Sequence, residues 1–333
     1  MKYIPLIPII TLFLASCDRP KQPDALHDQN TTENLEIALD YTPEMVGPGI
    51  ISRSSFEGHA SITPNGDEIY FAVYSNDHGY STIAYSAKKE NKWSEPEIVS
   101  FSGRYSDGSP ALSPDGKTLY FSSRRPINGD VINTSNDLWY AKRNVDSKWA
   151  APQRLKGKIN TPYNEFSPSV DQKGNLYFCS NRPDGYGDMD IYYAEYIDGK
   201  YGDPILLNDS VNSQYHEGNV GISPDGKVLY LMVQHKPGDL GYDDIHYAVM
   251  KGDTWSKAKN IGPIVNTPTY DFSPKISPDG KILYFSSRIN RDYNAPHIAY
   301  TYNSFQKHLN SPLNGLGNIY RVELSSLNLE LDE

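Results

Sequence analysis

The sequence predicts an all-β fold of the β-propeller type, most simply five four-stranded blades closed into a ring. One observation is a repeat. Ser-Pro-Asp-Gly-Lys-x-Leu-Tyr occurs at residues 113–120, 223–230 and 277–284, with degenerate copies at 63–70 and 170–177. The glycines of the five copies, Gly66, Gly116, Gly174, Gly226 and Gly280, stand 50, 58, 52 and 54 residues apart, a period that marks a repeat architecture. The other is the chemistry inside each unit: short runs rich in aromatic and β-forming residues, punctuated by Gly, Pro, Asp and Asn, with no long stretch of helical periodicity. Four short strands per unit, repeated radially, describe a propeller.

The second unit shows how each element is encoded. Residues 109–113 read as the innermost strand, and Pro114-Asp115-Gly116-Lys117 as the turn. Proline presets φ at the first central turn position, aspartate bonds back to the backbone, and glycine takes the positive φ. Residues 118–123 and 137–142 supply the second and third strands, and 149–155 the fourth. Third strands recur at 81–87, 190–195, 244–249 and 318–323, and fourth strands at 93–99, 201–207 and 255–261. The fifth unit departs from this pattern. It carries an insertion, residues 289–317, and no fourth strand follows Leu324. Residues 35–46 are expected to provide that strand, closing the ring from both termini and removing an open sheet edge. The alternative count is six, with a degenerate sixth blade, although no residues stand left over to build it.

The propeller domain is thus assigned to residues 35–333. Ahead of it, Lys2 is the only charge before a short apolar run, residues 4–14, which describes a secretory signal over residues 1–16 and is too short for a permanent membrane span. Residues 17–34 are polar and read as a flexible tether. Leu14-Ala15-Ser16-Cys17 resembles the lipobox of bacterial lipoproteins, which implies cleavage before Cys17, acylation of Cys17 and membrane attachment through that lipid. Cutting there removes one positive charge and takes the formal net charge from −10 to −11. An acidic chain with scattered Lys and Arg is a poor binder of nucleic acid or of an anionic membrane surface. Cys179 stands where other copies carry Ser, as a small buried side chain, and has no disulfide partner once Cys17 is acylated.

Ser-Pro-Asp-Gly-Lys-x-Leu-Tyr-Phe-Ser-Ser-Arg followed by Asp-Ile/Leu-x-Tyr-Ala, in five copies over roughly residues 50–300, resembles the WD-repeat-like propeller repeat of the TolB type. The resemblance implies the fold and a place in the bacterial envelope. It implies little about activity, because propellers host both binding and catalysis.

Five acids stand nine positions before the turn glycines: Glu57, Asp107, Glu165, Glu217 and Asp271. Equivalent positions put them at the start of the innermost strands, around one mouth of the central channel. There they would form a carboxylate ring for a cation or polar ligand. Alternatively each would accept hydrogen bonds from the next blade, from Arg124, Arg182 and Arg288. Recurrence in every unit favours this second role. His59 and His216, near Glu57 and Glu217, are the one hint of an acid–base or metal constellation. Residues 184–190, rich in Asp and Gly, read as a turn rather than a calcium loop. No zinc spacing, nucleophile elbow, phosphate loop or dinucleotide fingerprint is present, so no catalytic residue, metal or cofactor is assigned. Nine tyrosines fall in loops: Tyr74, Tyr80, Tyr105, Tyr163, Tyr186, Tyr215, Tyr242, Tyr270 and Tyr293. They suit sugar stacking or a protein interface, or packing between blades.

The expected protein is a lipid-anchored envelope propeller, on the periplasmic or surface side of the outer membrane. It would be a non-enzymatic binding or scaffolding module for a protein or glycan. The rival is a carbohydrate-active enzyme, a glycoside hydrolase or metal-dependent lyase, resting on Glu57, Glu217, His59 and His216. A third reading is an assembly factor that recruits partners through residues 289–317.

Overall fold

The computed structural model describes residues 43–129, 131–289 and 300–331. The signal, Cys17, the tether, residues 35–42 of the closing strand and Tyr293 lie outside the described residues. Five antiparallel sheets form the blades. Their innermost strands are Phe56–Ile62, Asp107–Leu112, Glu165–Val170, His216–Ile222 and Asp271–Ile276. Each meets the next around the ring, and the fifth returns to the first.

The second strands are Glu68–Tyr74, Thr118–Ser123, Leu176–Ser180, Val228–Gln234 and Ile282–Ser287. The third are Ser81–Lys89, Asp137–Lys142, Asp190–Ala194, Asp243–Lys251 and Asn318–Glu323. Their buried aliphatic and aromatic residues form clusters between adjacent blades, so the core is distributed around the ring.

The fourth strands are shorter than the sequence suggested: Glu97–Ile98, Gln153–Arg154, Ile205–Leu206 and Lys259–Asn260. Pro96, Pro152 and Pro204 immediately precede three of them. Proline has no N–H for the ladder and limits pairing at an edge. The fifth blade is closed as expected by Glu44–Met45, paired antiparallel with Arg321 and Tyr320. The next N–H, of Val46, donates to Ile319 O at 2.8 Å. Within the insertion, Tyr302–Leu309 is an α-helix capped by Thr301, with no buried residue. Among the described residues no helix is long and apolar enough to cross a membrane.

Every innermost strand carries a bulge at one position, where His59, Ser109, Ser167, Asn219 and Ser273 adopt φ between 49° and 57°. A bulge of this kind bends the strand and re-aims its side chains. Three of the five meet at the ring axis. Ser273 Oγ donates to Asn219 Oδ1 at 3.0 Å and lies 2.9 Å from His59 Nδ1. A hydroxyl has one hydrogen, so His59 Nδ1–H donates to Ser273. Two residues on, the small residues Ser61, Ala111, Ser169 and Gly221 face Lys275 of the fifth blade. Lys275 reaches across the axis and donates to Pro168 O and Val220 O at 2.8 and 2.6 Å. Beside it, towards the turns, the axis keeps a cavity of only about 30 Å³.

Candidate functional site

The strand directions place two kinds of connection at opposite ends of the ring. The Pro-Asp-Gly turns lie at one end. At the other, the loop face, lie the segments that enter each innermost strand and those that join second to third strands. The five acids begin their strands at this loop face, but they are sequestered. Glu57, Asp107, Glu165, Glu217 and Asp271 are all at most 2% exposed.

Their partners come mainly from the entering loops and from their own blades, not from the next blade. The N–H four residues earlier donates to the carboxylate in four units: Arg53 to Glu57 (3.0 Å), Thr161 to Glu165 (3.0 Å), Ser213 to Glu217 (2.9 Å) and Thr267 to Asp271 (2.6 Å). The hydroxyls of Thr161, Ser213 and Thr267 donate to the same carboxylates. Asp107 instead accepts from Ser102 Oγ (2.8 Å), Ser123 Oγ (2.5 Å) and Arg125 Nη2 (2.7 Å).

The arginine expectation is therefore corrected in part. Arg125, not Arg124, meets Asp107; it stands two residues after Ser123, as Arg182 does after Ser180. Arg182 lies 3.5 Å from Glu165, within the same blade. Arg288 instead covers aromatic rings. The asparagine before each Thr or Ser does related work. Asn160, Asn212 and Asn266 accept from Leu138, Ile191 and Ile245 N–H, tying the loop to the preceding blade's third strand. The pattern Asn-Thr/Ser-x-x-x-acid recurs at residues 160–165, 212–217 and 266–271 and is the sequence mark of this seam.

Burial pushes the Glu57 and Asp271 carboxyls up to about 7, with the Asp244 charge adding to the rise at Asp271, against opposing hydrogen bonds. It also raises Glu165 and Glu217. His59, 7% exposed, is pushed down to about 3 by burial and then by the neighbouring Lys275 charge. His216 is separate from it, on the non-adjacent fourth blade, with Nδ1 3.1 Å from Asp188 Oδ2. The histidines and acids of the rival reading are thus not gathered in one open pocket. In residues 184–190, Asp184 accepts from Tyr192 Oη, Asp188 meets His216 and Asp190 accepts from Gly187 N–H. Among the described residues no group of three or more His, Cys, Asp or Glu could hold a metal ion.

What does reach the surface is aromatic. On the loop face a continuous run of rings crosses blades 4, 5 and 1. His235 meets Tyr242 edge-on at 5.6 Å, and Tyr242 stacks on Tyr270 at 5.1 Å. The Arg288 guanidinium carbon lies 4.6 Å from the Tyr270 ring centre and 5.1 Å from that of Phe56. Phe56 then contacts Tyr74, His78 and Phe272 at 5.0, 4.9 and 5.7 Å. Leu316, at the end of the insertion, packs on the same cluster. Tyr242 is 52% exposed, and His78 and His235 are exposed beside it. Of the loop tyrosines singled out in the sequence, this run unites Tyr74, Tyr242 and Tyr270. His78, His235 and Arg288 carried no signal as ligand residues.

Fold and site together define the class of protein: a five-bladed β-propeller with buried carboxylates and an aromatic loop face. No family model matches the chain, and no curated protein does. Solved structures that it resembles include a protein provisionally assigned as TolB from Agrobacterium tumefaciens, at 16% identity and a TM-score of 0.42, covering 68% of this chain and 87% of that one. Another is a thermostable family-43 glycoside hydrolase, at 15% identity and a TM-score of 0.47, covering 74% and 86%. A third is a puromycin-hydrolysing peptidase from Mycobacterium tuberculosis, at 13% identity and a TM-score of 0.40, covering 69% of this chain. The match spans only 34% of that peptidase. At these identities the likeness concerns the fold alone.

Proposed function

We propose that this chain is a lipid-anchored β-propeller of the bacterial envelope that works as a non-enzymatic binding or scaffolding module. It takes a protein or glycan partner on the loop face of blades 4, 5 and 1. The observation that carries the reading is the run from exposed His235 and Tyr242 through half-buried Tyr270 and Arg288, backed by buried Phe56. Tyrosine and arginine offer large contact area with a polar handle, and they dominate binding hot spots. Chemistry by the acids would need them to touch a substrate, whereas each is covered and hydrogen-bonded by its own loop. Acylation of Cys17 would hold the ring at the membrane on the tether of residues 17–34, with no basic patch required.

The experiment compares three forms of the full chain in cells: wild type, Cys17→Ala and Tyr242→Ala/Arg288→Ala. Cross-linking in intact cells should yield one defined adduct for the wild type and none for the double variant. Membrane fractionation should release Cys17→Ala and retain the other two. The alternative, a carbohydrate-active enzyme, rests on Glu57, Glu217, His59 and His216, and burial raises both of its carboxyls, that of Glu57 to about 7. Turnover of an oligosaccharide by the purified chain, abolished by Glu217→Gln or Glu57→Gln, would overturn the non-enzymatic reading.

A further inference from the structure

The seam between blades 2 and 3 departs from those over Tyr70 and Tyr177 and leaves a cleft at the turn end of the ring. Between blades 1 and 2, Arg143 and Trp149 cover Tyr70. Arg143 bonds Tyr70 Oη (2.6 Å) and pairs with Glu68, and Trp149 meets the Tyr70 ring edge-on at 5.7 Å. Between blades 3 and 4, Met250 lies opposite Trp255, whose indole meets Tyr177 edge-on at 6.2 Å. At the seam of blades 2 and 3 the equivalent positions hold Tyr196 and Tyr201, and Thr118 stands where Glu68 does. Two phenols stand there in place of a guanidinium or thioether and an indole.

The turn beside them differs too. Gly174 stands three residues before Tyr177, whereas Gly116 stands four before Tyr120. The shortened turn brings Gly174 against the Tyr196 ring, where an added Cβ would sit 3.0 Å from the ring edge. Asn175 Oδ1 accepts from Tyr196 N–H at 3.0 Å and holds the hairpin in place.

What remains is a cavity of about 290 Å³ walled by Tyr120, Tyr140, Tyr196 and Tyr201. It adjoins a second, of about 510 Å³, that shares Tyr120 and Tyr196. Together they reach the size of small-molecule sites. Tyr201 Oη donates to Tyr120 Oη at 3.1 Å, which fixes two of the rings. Lys142, Lys156 and Lys200 line the first cavity, and Lys142 and Lys173 the second. Among the described residues none of these four lysines is in an ion pair. Lys142 Nζ lies 5.9 Å from the Tyr140 ring centre. The two lining acids are spent on their own turns. Asp171 Oδ1 accepts from Lys173 and Asn175 N–H, both at 2.9 Å, and Asp115 Oδ1 accepts from Ser113 Oγ and Lys117 N–H at 2.6 and 3.0 Å. In a chain of net charge −10, four lysines against two lining carboxylates give the cleft a net positive lining.

We infer that the cleft between blades 2 and 3 binds an anionic oligosaccharide, with sugar rings against the tyrosine faces and carboxylates at the lysines. A tyrosine offers an apolar face and a hydroxyl at its tip, matching the mixed surface of a pyranose. Lysine supplies the charge-assisted bonds that a carboxylate needs. The site lies at the end of the ring opposite the aromatic loop face and stands independently of the function proposed there.

The test is calorimetric titration of the full chain with trigalacturonate, neutral galactotriose and triglutamate. Saturable binding of trigalacturonate is expected, with galactotriose and triglutamate weaker by about tenfold or more. Lys142→Ala/Lys156→Ala/Lys200→Ala removes only exposed side chains and should lower trigalacturonate affinity about tenfold or more. Tyr201→Trp introduces the indole that covers Tyr70 and Tyr177 at their seams and should close the cavity, with the same loss and an unfolding midpoint no lower than wild type. Absence of trigalacturonate binding overturns the inference. So does equal binding of galactotriose, which removes the role of charge, or of triglutamate, which removes the role of the sugar. Unchanged affinity in the lysine variant overturns it whether or not Tyr201→Trp folds.

Discussion

His59→Asn offers the sharpest test of how the ring axis is built. His59 is buried, holds φ at 57°, and donates Nδ1–H to Ser273. Asparagine tolerates that backbone, as Asn219 shows at the equivalent place with φ 49°. The imidazole stays neutral in the fold because its pKa falls to about 3 from the ordinary 6.5, through burial first and Lys275 second. The unfolded chain therefore binds an extra proton between those values. The stabilising contribution is fully present above pH 6.5 and is lost as pH falls towards 3. Each pH unit in that window carries about 1.4 kcal/mol, so lowering the pH to 5 removes about 2 kcal/mol from the wild type through this group. Other groups titrate over the same range, so the measured quantity is the difference between wild type and His59→Asn. Urea unfolding at pH 8 and pH 5, followed by far-ultraviolet circular dichroism, should show the variant gaining about 2 kcal/mol on the wild type at the lower pH. An unchanged difference would refute a neutral buried imidazole and return His59 to the candidate ligands.

The acid ring makes the opposite prediction. Glu57 is raised from 4.5 to about 7, so its stabilising contribution is present below pH 4.5 and lost as pH rises to 7. Across that interval wild type should lose about 3 kcal/mol relative to Glu57→Gln, read from urea unfolding at several pH values. Arg125→Ala strips the fully buried Asp107 of its cation and should cost about 3–5 kcal/mol. Much of that loss should return in the Arg125→Ala/Asp107→Ala double variant. Trp255→Ala empties the seam over Tyr177 and should cost about 3–5 kcal/mol in the same assay. Arg321→Ala breaks an exposed pair with Glu44 and should change stability by less than about 1 kcal/mol, leaving the closing strand in place.

Much of the fold was legible because its signals are local. Pro-Asp-Gly turns and alternating strands recur with the blade period, and the fifth unit's missing strand pointed to the N-terminus. Strand lengths at the rim were less legible, since pairing there is limited by the prolines and by solvent. The carboxylate ring illustrates a different limit. Register placed all five acids correctly at the strand starts. Their burial depended on loops folding back over them, through N–H groups four residues upstream. The bulge residues were invisible in the repeat, because His, Ser and Asn share a backbone conformation there and not a side-chain type.

By itself the sequence determined the turn chemistry, the blade count and the closure by both termini, all set by short-range propensity and a fixed period. Only the tertiary structure decided what each repeated position faces. It buried the acids, filled the axis with His59 and Lys275, and joined His235, Tyr242, Tyr270 and Arg288 into one aromatic run backed by buried Phe56 across three blades. It also opened a cleft where Tyr201 takes the place of an indole. The physical reason is that sequence register sets where a residue stands, whereas its cover comes from whatever the folded loops and neighbouring blades bring against it, at the axis from residues more than a hundred positions away.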